Sequence, residues 1–198
     1  MAAVLAAALC MLALAVPATA AAPLAISVQP SVTDATTTVH VFGRVPSGRP
    51  GETVQVEMSE CGGYGWRVLT HAQTTSLGAW NATIFSADVT TEFRARWGKT
   101  TSNVTSVRVR PFIFTDNHHH GRLLVQVRAS DYFPRGLLQR RSGTRWVRVR
   151  SIALGRGDFG STADLRLHLP RGTRVRIVLT KAQVGHCYLP ASTTTVVT

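Results

Sequence analysis

The residues best able to do chemistry fall in three places. His118-His119-His120 stands close to Asp116, a run of imidazoles beside a carboxylate, and imidazole is the commonest transition-metal ligand. His186 adjoins Cys187, a pair that could ligate a metal or activate a thiolate. Arginines alternate with apolar residues through Trp146-Val147-Arg148-Val149-Arg150 and Arg174-Val175-Arg176-Ile177, the pattern of a strand with a cationic outer face.

The first two candidates weaken on their surroundings. Adjacent histidines following the polar stretch Thr115-Asp116-Asn117 rarely converge on one ion, so the tract reads as a solvated interdomain linker. A cysteine held in a disulfide offers no thiolate for His186 to activate. His40 and His168 fall at outward strand positions, as surface residues would. Nucleophile elbow, paired-histidine helix, phosphate loop and turn-flanked carboxylate pair are all missing from the sequence. Only four acids follow Pro111, little for a hydrolase that needs two carboxylates. The expectation is a non-enzymatic protein with no catalytic residue, no metal and no cofactor.

The elements that must position these residues read as strands. Alternation of period two runs through Val39-His40-Val41-Phe42, Val54-Gln55-Val56-Glu57-Met58, Phe93-Arg94-Ala95-Arg96-Trp97 and Val107-Arg108-Val109-Arg110. Turn residues divide them at Pro46-Ser47-Gly48-Arg49-Pro50-Gly51, Cys61-Gly62-Gly63 and Ser76-Leu77-Gly78. The order then recurs: Trp66-Arg67-Val68 matches Trp146-Val147-Arg148, Thr91-Glu92-Phe93-Arg94 matches Thr173-Arg174-Val175-Arg176, and Ser106-Val107-Arg108-Val109 matches Thr194-Thr195-Val196-Val197. Offsets that drift from 80 to 88 are what loop insertions do to a duplicated domain. Two repeats of this length suit two seven-strand sandwiches rather than a solenoid.

The first residues are an address. Met1 to Ala15 is apolar without interruption, and Pro17 and Ala18-Thr19-Ala20 follow, which reads as a secretory signal peptide over residues 1–22. The run is short of the ~20 residues a spanning helix needs. The expected product is an exported, extracellular chain with one domain over 23–110 and a second over 111–198.

The layout resembles the bacterial secreted immunoglobulin-like or fibronectin-type-III-like tandem modules. The residues that carry the resemblance are the Val54-Gln55-Val56 strand after a Pro/Gly turn, Gly78-Ala79-Trp80 at a strand entry, Thr90 to Ala95, and Gln139-Arg140-Arg141 before Gly143-Thr144-Arg145-Trp146. It implies an all-β fold of two tandem immunoglobulin-like sandwiches acting as an adhesive, spacer or ligand-binding module. The antibody pattern of two cysteines inside one sandwich is absent.

Loss of Cys10 with the signal leaves Cys61 and Cys187, one per repeat. On the immunoglobulin-like topology Cys61 follows the third strand of the first domain and Cys187 precedes the last strand of the second. Those ends face each other in a head-to-tail tandem, so an interdomain bridge is sensible in an oxidising compartment; two free or intermolecular thiols are the alternative.

The chain carries 22 Lys+Arg against 10 Asp+Glu, for a net charge of +12. Residues through Arg110 carry +2 of this and those from Pro111 onward +10. Strand alternation turns Val147 and Val149 inward and Trp146, Arg148, Arg150, Arg174 and Arg176 outward onto one sheet, with one of Arg140 and Arg141 between them. A cationic face with an aromatic suits a polyanion, since guanidinium forks pair with carboxylate or phosphate and a ring can stack on a base or sugar. Arginine as the default cation of a GC-rich genome accounts for the same residues without any ligand. Nucleic acid is the least suited polyanion for an exported chain. The partners expected are an extracellular protein or a cell-envelope polymer.

Overall fold

A computed structural model describes residues 23–118, 121–158 and 160–198; residues 1–22, with the signal-peptide reading, lie outside it. The first half folds as β1 (Ala25–Gln29), β2 (Val32–Asp34), β3 (Thr37–Arg44), β4 (Thr53–Glu60), β5 (Arg67–Gln73), β6 (Ala79–Ala87), β7 (Thr91–Trp97), β8 (Thr100–Thr101) and β9 (Thr105–Arg110). The second half continues with β10 (Phe112–His118), β11 (Arg122–Arg128), β12 (Arg135–Ser142), β13 (Arg145–Ala153), β14 (Gly155–Gly157), β15 (Gly160–Arg166), β16 (Arg174–Leu179) and β17 (Ala191–Val196). A four-residue helix, α1 (Lys181–Val184), interrupts the β16–β17 connection.

Four sheets result. β1-β3-β6 faces β2-β9-β7-β4-β5, and β10-β11-β15-β14 faces β13-β12-β16-β17. Pairing is antiparallel except for the parallel β2–β9 ladder. Both halves thus repeat the immunoglobulin-like strand order, with β5 and β13 as corresponding edge strands. The fold is all-β, in two tandem sandwiches.

Alternation sorts the core as the sequence pattern requires. Val39 and Val41 of β3 are buried, as are Val54 and Val56 of β4, Phe93 and Ala95 of β7, and Val107 and Val109 of β9. Leu123, Val125 and Val127 of β11, Leu138 of β12, and Val175 and Ile177 of β16 do the same in the second half. Each such Val, Leu, Ile or Phe side chain is worth about 1.5–3 kcal/mol of burial. Gly43 serves a close approach in β3: a Cβ there would stand 1.9 Å from the Ala25 carbonyl oxygen and 2.7 Å from the Trp80 ring.

The segment between the halves departs from expectation. Asp116 and Asn117 belong to β10, paired with Leu124 and Leu123 of β11. They therefore lie inside the second sandwich and not in a linker. The polar composition that suggested a linker is that of a strand approaching its hairpin turn. His119 and His120 lie outside the described residues. One residue, the buried Pro111, separates the end of β9 from the start of β10.

Three further links tie the halves. Cys61, next after β4, is disulfide-bonded to Cys187 in the β16–β17 connection, with a Cα–Cα distance of 5.4 Å. The Thr90 N–H donates to the Cys187 carbonyl at 3.3 Å, and the Leu189 N–H to the Val109 carbonyl at 2.8 Å. The β16–β17 connection is held firmly enough to make these bonds. Thr180 and Gln183 form a capping box on α1. Lys181 Nζ donates to the Tyr188 carbonyl at 2.9 Å. Tyr188 is fully buried, its ring edge-on to Phe133 and its hydroxyl accepting the Asp131 N–H at 3.2 Å.

Candidate functional site

Two equivalent clusters sit on the outer faces of the sheets that contain β4, β5 and β7 in one half and β12, β13 and β16 in the other. In the first sandwich the Arg94 guanidinium of β7 lies 4.2 Å from the Trp66 ring centroid. Its Nε donates to Glu57 Oε2 of β4 at 2.6 Å. Arg96 reaches the other carboxylate oxygen at 3.5 Å, and Gln55 donates to it at 2.6 Å. Glu57 is buried, which pushes its carboxyl up; hydrogen bonds from Arg94 and Gln55 and the charges of Arg94 and Arg96 outweigh this and hold it below its ordinary 4.5.

The second sandwich rebuilds the cluster with one change. Arg176 of β16 lies 4.7 Å from the Trp146 ring centroid, and its Nε donates to Gln139 Oε1 of β12 at 2.5 Å. Gln139 therefore stands where Glu57 stood, and a neutral amide replaces the buried carboxylate. Arg141 packs on the same ring at 5.5 Å and donates to the Gly143 carbonyl at 2.9 Å. Arg148 lies opposite Gln139 and donates to Ser151 at 2.8 Å. Arg174, exposed, is two residues from Arg176 on the same face of β16. Arg141, Arg148, Arg174 and Arg176 thus share an outer face with Trp146.

Arg150 does not belong to that face. A register shift between Leu138 and Gln139 sets Arg150 opposite Leu138 and Arg148 opposite Gln139, leaving Val149 as the extra residue of a bulge. One inserted residue reverses the alternation beyond it, so Arg150 turns to the inner side. There it donates to the Arg166 carbonyl at 3.2 Å and closes the gap toward the facing sheet. Val147 and Val149 do not fill a core as expected; they are 43% and 39% exposed on the edge strand β13. Arg141, not Arg140, is the outward member of its pair, because Arg140 lies opposite buried Val175. The bulge itself is duplicated, since β4 and β5 shift register between Val56 and Glu57.

Trp146 is half-buried, with two guanidiniums against its ring. Its part is to hold Arg141 and Arg176 in place by cation–π contact. It does not present a bare stacking platform, as the sequence had suggested.

The Cys61, His186 and Cys187 side chains gather within 4.8 Å. Both sulfurs are spent in the disulfide, so neither is a thiolate ligand in this state. His40 donates to or accepts from Thr83 at 3.3 Å on the surface of β3, and His168 is exposed just beyond β15.

A cleft of about 440 Å³ opens where the halves meet, beside Arg176. Asp34 and Arg110, register partners on β2 and β9, line one wall. Arg176, Pro190, Ala191 and Ser192 of the second sandwich line the other. No helix among the described residues is long and apolar enough to cross a membrane.

No protein-family model matches this chain, and no curated protein matches it. Solved structures do. The human OSCAR ligand-binding domain is 13% identical, with 89% of this chain and 98% of that one covered at a TM-score of 0.29. A chain of a cytokine receptor complex is 16% identical, with 86% and 95% covered at a TM-score of 0.33. At such scores the immunoglobulin-like assignment rests on the strand order of the two sandwiches themselves.

Proposed function

We propose that this chain is an extracellular, non-enzymatic binding or spacer module in which residues 23–110 and 111–198 form two sandwiches locked at one fixed angle. The observation that carries the reading is the triple tie at the junction. A single buried proline separates β9 from β10, the Cys61–Cys187 disulfide spans 126 residues, and two backbone hydrogen bonds run beside it. A spacer made for flexibility would have a polar, Gly/Ser-rich connection instead. Residual dipolar couplings on the oxidised protein test this directly: both sandwiches should fit one alignment tensor. Two independent tensors would refute the fixed angle.

A second reading is favoured by one particular observation, the exchange of Glu57 for Gln139. In the first cluster a buried carboxylate answers Arg94 and Arg96; in the second, the acceptor that Arg176 finds among the described residues is an amide. The face holding Arg141, Arg148, Arg174 and Arg176 is thereby left cationic, which supports a role as a polyanion site on a cell-envelope or extracellular polymer. Retention on immobilised anionic polymers across a salt gradient tests it. Changing Arg148 and Arg174 together to Ser should move release to lower salt, and unchanged retention would discard the face.

A further inference from the structure

We infer that the cleft between the sandwiches is a subsite for a carboxylate-bearing sugar unit, so that the polyanion read by this chain is an acidic polysaccharide. The inference rests on the polyanion reading above and deepens it.

The argument begins with charge. Asp34 and Arg110 are neighbours across the parallel β2–β9 ladder, and both line the cleft. Among the described residues neither side chain has a hydrogen-bond or ion-pair partner, although both are exposed to the same space. Arg176 comes in from the opposite wall. Its Nε is committed to Gln139 and its guanidinium rests against Trp146, so the side chain that lines the cleft is held in place. Two arginines from two sandwiches therefore line one open volume, with a carboxylate beside them that has no partner among the described residues.

A polymer of phosphate or sulfate alone fits this lining poorly. It would satisfy the arginines but bring no donor for Asp34. An acidic sugar brings both kinds of group: a carboxylate for the arginine forks, and hydroxyls that donate to Asp34 and exchange hydrogen bonds with Ser192. Pro190 and Val178 supply a small apolar patch for the C–H face of the ring. A volume of about 440 Å³ is in the range of small-ligand sites and admits a sugar unit within a continuing chain. Because the cleft opens beside Arg176, a polymer seated in it continues onto Arg174, Arg141 and Arg148.

The test compares two probes, polygalacturonate and long-chain polyphosphate, binding to the intact oxidised protein at fixed ionic strength. The parent should favour polygalacturonate. Asp34→Asn and Arg110→Gln, both exposed positions, should each lower polygalacturonate affinity about tenfold. Asp34→Asn should leave polyphosphate binding unchanged or stronger. Ser192→Ala, on the other wall, should lose in the same direction by less. If the cleft variants leave the ratio of the two affinities at the parent's value while Arg148→Ser with Arg174→Ser weakens both polymers, the sugar subsite is wrong and the cationic face stands. If the parent binds neither polymer above low salt, both fall.

Discussion

Gln139 and Glu57 occupy equivalent places in the two sandwiches, each accepting the Nε of an arginine two strands from a tryptophan-bearing edge, at 2.5 Å from Arg176 and 2.6 Å from Arg94. The two clusters share their geometry and differ in charge. A substitution at either position can therefore alter electrostatics with a known structural precedent for the replacement.

Gln139→Glu should preserve the fold, since the first sandwich already holds a glutamate in that setting. It should neutralise Arg176 and reduce polyanion affinity by about fivefold to tenfold, the worth of one charge-assisted contact. Salt-gradient retention reads this, and retention equal to the parent's would separate Arg176 from binding.

Glu57→Gln should cost about 1–3 kcal/mol, because it removes the buried partner of Arg94 and Arg96. The pH dependence has a definite sign. The Glu57 carboxyl is held below its ordinary value, so its contribution is present above pH 4.5 and is lost as pH falls through the folded value. The difference between variant and parent should shrink in acid. Urea unfolding at a series of pH values checks it, and a difference that stays constant down to pH 2 would contradict it.

Tyr188 gives the opposite end of the pH scale. Burial, and then the charge of Asp131, push its phenol up to about 12. Folding favours the neutral form, so this stability is complete below about pH 10 and is lost as pH rises toward 12. Tyr188→Phe should remove that alkaline dependence while costing about 1 kcal/mol for the bond to the Asp131 N–H. Thermal melts between pH 8 and 12 measure both.

Gly43→Ala should destabilise by about 3 kcal/mol, at the upper end for overpacking. The new methyl would collide with the Ala25 carbonyl at 1.9 Å, and backbone cannot swing aside as a side chain can. The loss should show in the denaturation midpoint, whereas polyanion binding through the second sandwich should be untouched.

Opening the disulfide with Cys61→Ser should cost up to about 5 kcal/mol in the chain-entropy model for a loop of 126 residues. A calorimetric trace that is one transition when oxidised should separate into two. Coincident traces for parent and variant would mean that the backbone bonds alone hold the junction.

Much of this architecture could be read from residues alone. Period-two alternation marks the buried valines of β3, β4 and β9, and the recurrence of Trp66-Arg67-Val68 as Trp146-Val147-Arg148 marks the corresponding edge strands. Strict alternation is also where the reading failed. A bulge adds one residue without changing composition, so nothing in Val147-Arg148-Val149-Arg150 reveals that Arg148 and Arg150 point to opposite sides. Asp116 and Asn117 were misread because polarity near a hairpin turn looks like polarity in a linker. The Asp34–Arg110 juxtaposition was invisible, since it depends on a parallel pairing between residues 76 positions apart. One signal was available and unused: the offset that aligns Arg94 with Arg176 also aligns Glu57 with Gln139.

The position of the disulfide also decides how the chain would carry load. Tension applied between residues 23 and 198 passes along residues 23–61, crosses from Cys61 to Cys187, and leaves through residues 187–198. Everything from Gly62 to His186 hangs as a covalently closed bypass, out of the line of force. That bypass contains β12, β13 and β16, and with them every arginine of the cationic face. A pull that strips β1 or β17 from its neighbours would leave those strands unstretched.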